Sequence, residues 1–316
     1  MSIDRVATNG QAQFLLSQIM QASSALDATQ AQVASGKKSS NYTGIGDKTA
    51  MLEAARSASA RAESYQSATQ VALNQVDLQD TQLTSLSDLA QQLRQALTTA
   101  VADNDGSTLM TTANSIFDRA AQILNARDVN GNYIYGGDRD DQPPLAVNSL
   151  SDLSSLSSAS DAFANGSIAR SVTVADGQTV KVGVLASDAG QQLMQVLKDV
   201  ADFNAGSNGN IGSNLTQAQS NFLSGKIGSA ASASQGINNV AAGNGDTYNQ
   251  LQDASTRQQS LSALYKGFVS DLEDVDMGEA VSRLNQNQVA LQAALQVTAR
   301  LSQISLLNYL GPTSNG

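Results

Sequence analysis

The chain contains no cysteine, no histidine and no tryptophan, and its only prolines are Pro143, Pro144 and Pro312. Without histidine it lacks the commonest general base and the commonest transition-metal ligand. Without cysteine it can form no disulfide, no thiolate zinc site and no cysteine nucleophile. Ser-His-Asp, Cys-His and His-metal constellations are therefore excluded. The expectation is a protein that is not an enzyme, with no catalytic residue, no cofactor and no metal. Aromatic residues make up only 4% of the chain, too few for the bulky core of a typical globular enzyme. Basic residues number 18 against 28 acidic ones, a formal charge of −10 with no basic stripe. Such a chain is a poor match for nucleic acid or for an anionic membrane surface. Met1-Ser2-Ile3-Asp4-Arg5-Val6 lacks the charged-then-apolar pattern of a cleaved signal peptide, and no apolar run approaches the ~20 residues of a membrane span.

What fills the chain is Ala, Ser, Gln, Leu and Asn, a mix that favours long helices with small side chains at their contacts. Apolar residues step by three and four along several stretches. Leu16, Ile19, Ser23, Leu26, Gln30 and Val33 form a first seam, which stops at Ser35-Gly36-Lys37-Lys38, a glycine followed by cations. Asn41 to Asp47 reads as a loop. A longer seam runs through Leu73, Val76, Asp80, Leu83, Ser87, Ala90, Arg94, Leu97 and Val101 to the turn signal Asp103-Asn104-Asp105-Gly106. Leu109, Ala113, Ile116, Ala120 and Ile123 mark a third helix. Toward the C-terminus, Tyr248, Leu251, Ser255, Gln258, Ser262, Tyr265, Val269 and Leu272 form one seam, and Val281, Leu284, Gln288, Leu291 and Leu295 another. Gln30, Gln258 and Gln288, polar residues at seam positions, are expected to fix register and partner number.

The middle differs. Val172 and Val174, then Asp176-Gly177, then Val180, Val182 and Val184 alternate around a turn dipeptide, the signature of a β-hairpin. Short helices are expected at 190–203 and around 215–222. The layout predicts a mainly α protein: a long antiparallel coiled coil or helical bundle formed by both termini, with a small β-containing insert. The expected division is a terminal coiled-coil domain from 1–42 and 275–316, a helical domain from 43–144 and 188–274, and a β-hairpin insert at 145–187. The thin end seams are too weak to stand alone in water. Paired with each other and with neighbouring copies, they would bury a continuous stripe.

Three clusters invite a chemical reading. Ser35-Gly36-Lys37-Lys38-Ser39-Ser40 lacks the upstream glycine of a phosphate loop, Ala31 standing in its place, so a helix stop is expected. Asp128-Val129-Asn130-Gly131-Asn132, near Asp138, Asp140 and Asp141, lacks the glycine and glutamate spacing of a calcium loop and reads as a turn. Asp271, Glu273, Asp274, Asp276 and Glu279 read as the acidic start of the last helix.

The ends resemble the flagellin and hook-associated protein superfamily, and within it the hook–filament junction branch. The resemblance rests on four segments: Ala7-Thr8-Asn9 with the following helix and Ser35-Gly36-Lys37-Lys38; Asn130-Gly131-Asn132-Tyr133-Ile134-Tyr135-Gly136-Gly137 with Pro143-Pro144 beyond; Ser270 to Ala280; and Gln303-Ile304-Ser305-Leu306-Leu307-Asn308-Tyr309-Leu310. It covers residues 1–145 and 245–310, and the loop Asn41 to Asp47 departs from the superfamily's usual pattern. The resemblance implies a structural subunit of the bacterial flagellum, extracellular, exported by the flagellar type III apparatus without a cleaved signal. Its implied partners are copies of itself in a ring, a hook-associated protein on the hook side, flagellin on the filament side and an export chaperone, with no nucleic acid and no membrane. The expected assembly interface is Leu16, Ile19, Leu26, Val33, Val281, Leu284, Leu291, Leu295, Leu306 and Leu307. The alternatives are a flagellin and, in another class, a secreted effector or enzyme carried on coiled coils.

Overall fold

A computed structural model of the chain describes residues 3–39 and 46–309, with the side chains of 10, 13–39, 46–301 and 303. The expected loop at 41–47 lies largely outside the described residues, as do the side chains of the C-terminal motif from 304 onward. The elements are α1 (Ile3–Ser35), α2 (Thr49–Ala102), α3 (Leu109–Leu124), α4 (Leu150–Ser155), β1 (Ser171–Ala175), β2 (Gln178–Lys181), α5 (Ala186–Ala205), α6 (Gln217–Glu273) and α7 (Met277–Tyr309). Among the described residues the protein is mainly α with one two-stranded antiparallel sheet, as composition and the single hairpin signal predict.

Residues Arg61–Leu261 form one compact unit. Its main core joins Leu83, Leu86, Leu93 and Leu97 of α2 to Ile116 and Phe117 of α3, Leu193 and Leu197 of α5, and Leu223 and Ile237 of α6. Residues 145–187 do not stand apart from it: Leu145, Val147, Leu150 and Leu153 belong to this same cluster. The helix α4 in that stretch is short but capped, Asp152 N donating to Ser149 Oγ at 3.0 Å. A smaller cluster lies under the hairpin, where Val174 and Val182 pack with Ala72, Leu73, Val76, Leu251 and Ala254. The hairpin pairs Val172 with Val180 and turns at Gly177, whose φ of 69° suits glycine. Its tip is tied to α2 by Tyr65 Oη, which donates to Asp176 Oδ1 at 2.6 Å.

Helix α6 is longer than its sequence suggests. A short helix near 215–222 and a separate one from 248 are one helix of 57 residues, and six glycines inside it hide the continuity. Glycine weakens a helix by about 1 kcal/mol relative to alanine, so this one is held by packing rather than propensity. At Gly236 the close neighbour is Gln192, whose Oε1 would lie 2.6 Å from an added Cβ.

The other unit comprises Met1–Ala60 and Ser262–Gly316. In it α1 and α7 pair antiparallel.

Candidate assembly surface

The α1–α7 pair is a heptad contact, in a frame that differs from the one hydrophobicity suggests. On α1 the shielded row runs through Leu15, Ile19, Ala22, Leu26, Thr29 and Val33. On α7 it runs through Ala280, Leu284, Asn287, Leu291, Ala294, Thr298 and Leu301. Ile19, Leu26, Val33, Leu284 and Leu291 therefore lie half-buried on the internal seam. Leu16, Val281 and Leu295 do not: they are 56%, 42% and 50% exposed. Leu306 and Leu307 fall outside the described side chains. Gln30 and Gln288, expected as the polar seam residues, are exposed, and Thr29 and Asn287 take that place. Asn287 Nδ2 donates to Thr29 Oγ1 at 2.9 Å and to the carbonyl of Ala25 at 3.2 Å. Gln258 is a buried seam residue as expected, donating to the carbonyl of Val174.

Two heptad frames share the row Ile19, Leu26, Val33 and differ only in which flank joins it. Ranking by hydrophobicity selects Val281 and Leu295. The row that is shielded instead holds the smaller Ala280 and Ala294. The same correction applies to α2, where Asp80 and Arg94 face solvent while Gln79 and Leu93 are buried. Ser87 remains inside because its hydroxyl bonds that of Ser234 at 2.9 Å.

A compact joint closes the pair at one end. Helix α1 stops at Gly36, whose φ of 70° is the left-handed conformation that ends many helices. Lys38 N then donates to the Glu273 carbonyl at 2.7 Å, and Val275 N donates to the Gly36 carbonyl at 2.9 Å. The Glu273 side chain is buried between two cations, the Lys37 ammonium on Oε1 and Arg56 Nη2 on Oε2 at 2.6 Å. Those bonds, from Lys37 first and Arg56 second, hold its carboxyl below the usual glutamate range. The acidic cluster thus divides its labour. Asp276 starts α7, accepting from Gly278 N at 2.8 Å and Glu279 N at 3.2 Å, as the first-turn reading expects. Glu273 is instead an ion-pair hub that local patterning could not reveal, because its partners are distant in sequence.

The Asp128 loop is a turn, as its sequence suggests. Asp128 Oδ1 accepts from Asn130 N at 2.9 Å and Asn132 N at 3.0 Å, and Arg170 bridges Asp128 and Asp140. Burial pushes the Asp128 carboxyl up, but the Asn132 and Asn130 amides and Arg170 outweigh it and the net shift is downward. Among the described residues no group of three acidic side chains is placed to hold a metal ion. The following Gly136 and Gly137 fold tightly: a Cβ on Gly136 would lie 2.6 Å from the Arg139 carbonyl.

The terminal unit is poorly buried. Its fully buried apolar side chains, among those described, are Leu52, Ala55 and Ala280. It exposes Phe14 (62%), Leu16, Met20, Val281, Val289 (64%) and Leu295. Beside the seam, an open groove on α1 is lined by Ser17, Met20, Gln21, Ser24, Ala25 and Ala28, four small residues with one methionine and one glutamine. No helix among the described residues is long and apolar enough to cross a membrane, so these side chains are not part of a spanning helix.

Residues 227–310 match the family described as the bacterial flagellin C-terminal helical region. A sequence comparison with curated proteins finds no match. Among solved structures, a protein from Vibrio parahaemolyticus assigned as flagellar hook-associated matches with a TM-score of 0.59 at 18% identity, over 73% of this chain and 100% of its own. FlgL of Bacillus cereus matches with a TM-score of 0.54 at 15% identity, over 68% of this chain and 98% of its own. Paired terminal helices, a helical core with one hairpin, and these likenesses define the fold: it is that of the flagellar hook-associated proteins matched here. The family match lies within α6 and α7, so it is the C-terminal part of the chain that is similar to flagellins in sequence.

Proposed function

We propose that the protein is a structural subunit of the bacterial flagellum that joins hook to filament. The observation that carries this reading is the terminal unit, which buries few apolar side chains and turns many outward. Leaving that much surface in water is unfavourable at roughly 25 cal/mol per Å², and covering it favours association. Its occupant is a neighbouring subunit of the axis: copies of this chain around a ring, a hook-associated protein on one side and flagellin on the other. The terminal segments 1–42 and 275–316 serve as the assembly domain. Within the expected interface set, Leu16, Val281 and Leu295 face neighbours, while Ile19, Leu26, Val33, Leu284 and Leu291 hold α1 to α7. Leu306 and Leu307 belong to the same proposed interface set. The likeness to a hook-associated protein and to FlgL favours the junction over the bulk filament. The protein works outside the cell, reaches its place through the flagellar export apparatus with a chaperone, and performs no catalysis.

The test is electron microscopy of a strain lacking the gene. Hooks without filaments, with flagellin shed into the medium, are expected. Short or absent filaments without shedding would identify a flagellin instead, and normal filaments would remove the protein from the axis.

A further inference from the structure

The two apolar clusters of the Arg61–Leu261 unit are separated by a polar layer. On α2 the main core begins at Leu83 and the hairpin cluster ends at Val76. Between and beside them stand Gln75, Gln79 and Gln82, spaced to lie on one helix face. Gln79 is fully buried, yet neither its Oε1 nor its Nε2 has a partner among the described residues. Gln75 Nε2 and Gln82 Oε1 are likewise buried and unpaired. A buried amide without a hydrogen bond is strongly disfavoured, and native proteins answer such groups with internal water.

The facing stretch of α6 is equally unusual. Asn244 is buried at a seam position and donates Nδ2 to the Val76 carbonyl at 2.8 Å. Gly243 and Gly245 flank it, and a Cβ at either would meet no atom within 4 Å. Close packing does not demand these glycines, and they lower helix propensity at this level. An open cleft of 270 Å³, lined by Val76, Asp80, Asn244, Gly245 and Tyr248, lies beside Asn244 at the edge of this layer.

We infer that the Gln75–Gln79–Gln82 layer, with Asn244 opposite, is an internal water site that divides this unit into two separately opening parts. The main core around Leu83 to Leu97 is the stable part. The hairpin with residues 72–80 of α2 and 243–255 of α6 is the part that opens first. Water holds the glutamine amides in the closed state and enters readily through the cleft, so opening there exposes few new unpaired groups.

Hydrogen exchange on the full chain tests this. Amides of 72–80 and 243–255 should exchange roughly ten- to a hundredfold faster than those of 86–97. Gln79→Leu should join the two clusters and bring both sets to one slow rate. Gly243→Ala with Gly245→Ala, which has room for both methyls, should slow the same fast set without touching the glutamines. Magnetic relaxation dispersion should detect long-lived internal water in the wild type and less of it in Gln79→Leu. A single common exchange rate in the wild type overturns the inference. So does a rate gap that persists in folded Gln79→Leu, an unchanged water signal in that variant, or fast-set amides unaffected by the double alanine change.

Discussion

Asn287 and Thr29 meet across the α1–α7 contact, the amide Nδ2 donating to the hydroxyl at 2.9 Å, in a seam built, apart from Thr298, from Leu, Ile, Val and Ala. One polar pair at a core heptad position lowers stability but selects a single register, because any slip leaves the amide unpaired. Thr29→Val combined with Asn287→Leu should therefore raise the melting temperature of the purified chain and broaden its association. Analytical ultracentrifugation should show several oligomers where the wild type shows one distribution. A double variant that is more stable and equally uniform would deny the pair its register role.

The seam shows what could be read from the sequence and what could not. The 7-residue row of Ile19, Leu26 and Val33 was legible, as was Leu284 with Leu291, because both candidate frames contain it. The second row was not. Val281 beside Ala280, and Leu295 beside Ala294, look like better core residues, yet the alanines are the shielded ones, a choice made by the tertiary pairing and not by local hydrophobicity. Helix α6 was obscured for another reason: Gly225, Gly228, Gly236, Gly243 and Gly245 break the propensity signal that its tertiary contacts override. Glu273 carried no local signal at all, since Lys37 and Arg56 come to it from the other end of the chain.

The division between inner and outer leucines gives opposite phenotypes. Leu291→Ala and Leu26→Ala remove half-buried side chains from the α1–α7 contact and should cost about 1–2 kcal/mol, less than the ~2–5 typical of full burial. Leu16→Ala and Leu295→Ala should change monomer stability by no more than about 0.5 kcal/mol. The outer pair should instead weaken self-association and give cells that swim poorly and shed flagellin. Thermal melts beside motility assays separate the two classes, and matching behaviour in all four variants would collapse the distinction.

Glu273 makes the joint acid-sensitive. Its folded pKa is lowered, so its contribution is complete above the ordinary glutamate pKa of about 4.3 and is lost as pH falls through the lower folded value. The amide resonances of Lys38 and Val275, which bond across the joint, should therefore shift together on acidification in the wild type. Glu273→Gln should show the acid-type shifts already at neutral pH and little further change below. A wild-type titration in which these amides do not move would place the joint's strength in its backbone bonds alone.

Gly136 is fixed by space. Its added Cβ would approach the Arg139 carbonyl at 2.6 Å and the Asp140 Cα at 2.8 Å, both backbone atoms that cannot swing aside. Gly136→Ala should cost about 1–3 kcal/mol as an overpacked site. Gly131→Ala, where nothing lies within 4 Å but φ is 86°, should cost less, through backbone strain alone. Denaturant melts showing the reverse order would mean the 136–140 loop yields easily.

The pairing of distant segments bears on when this chain can fold. Ser87 meets Ser234 across 147 residues, and Lys37 meets Glu273 across 236. Contacts of such separation require a large loop to close before they return any stabilisation, so the folding rate is set by that search. As the polypeptide emerges from the ribosome, α2 can meet α3 and α5 early, but its contact with the glycine-rich α6 must wait for that helix to follow. The layer that α6 completes therefore closes last. A pulse-proteolysis time course of nascent chains should find full protection of α2 appearing only after residue 260 or so has been released.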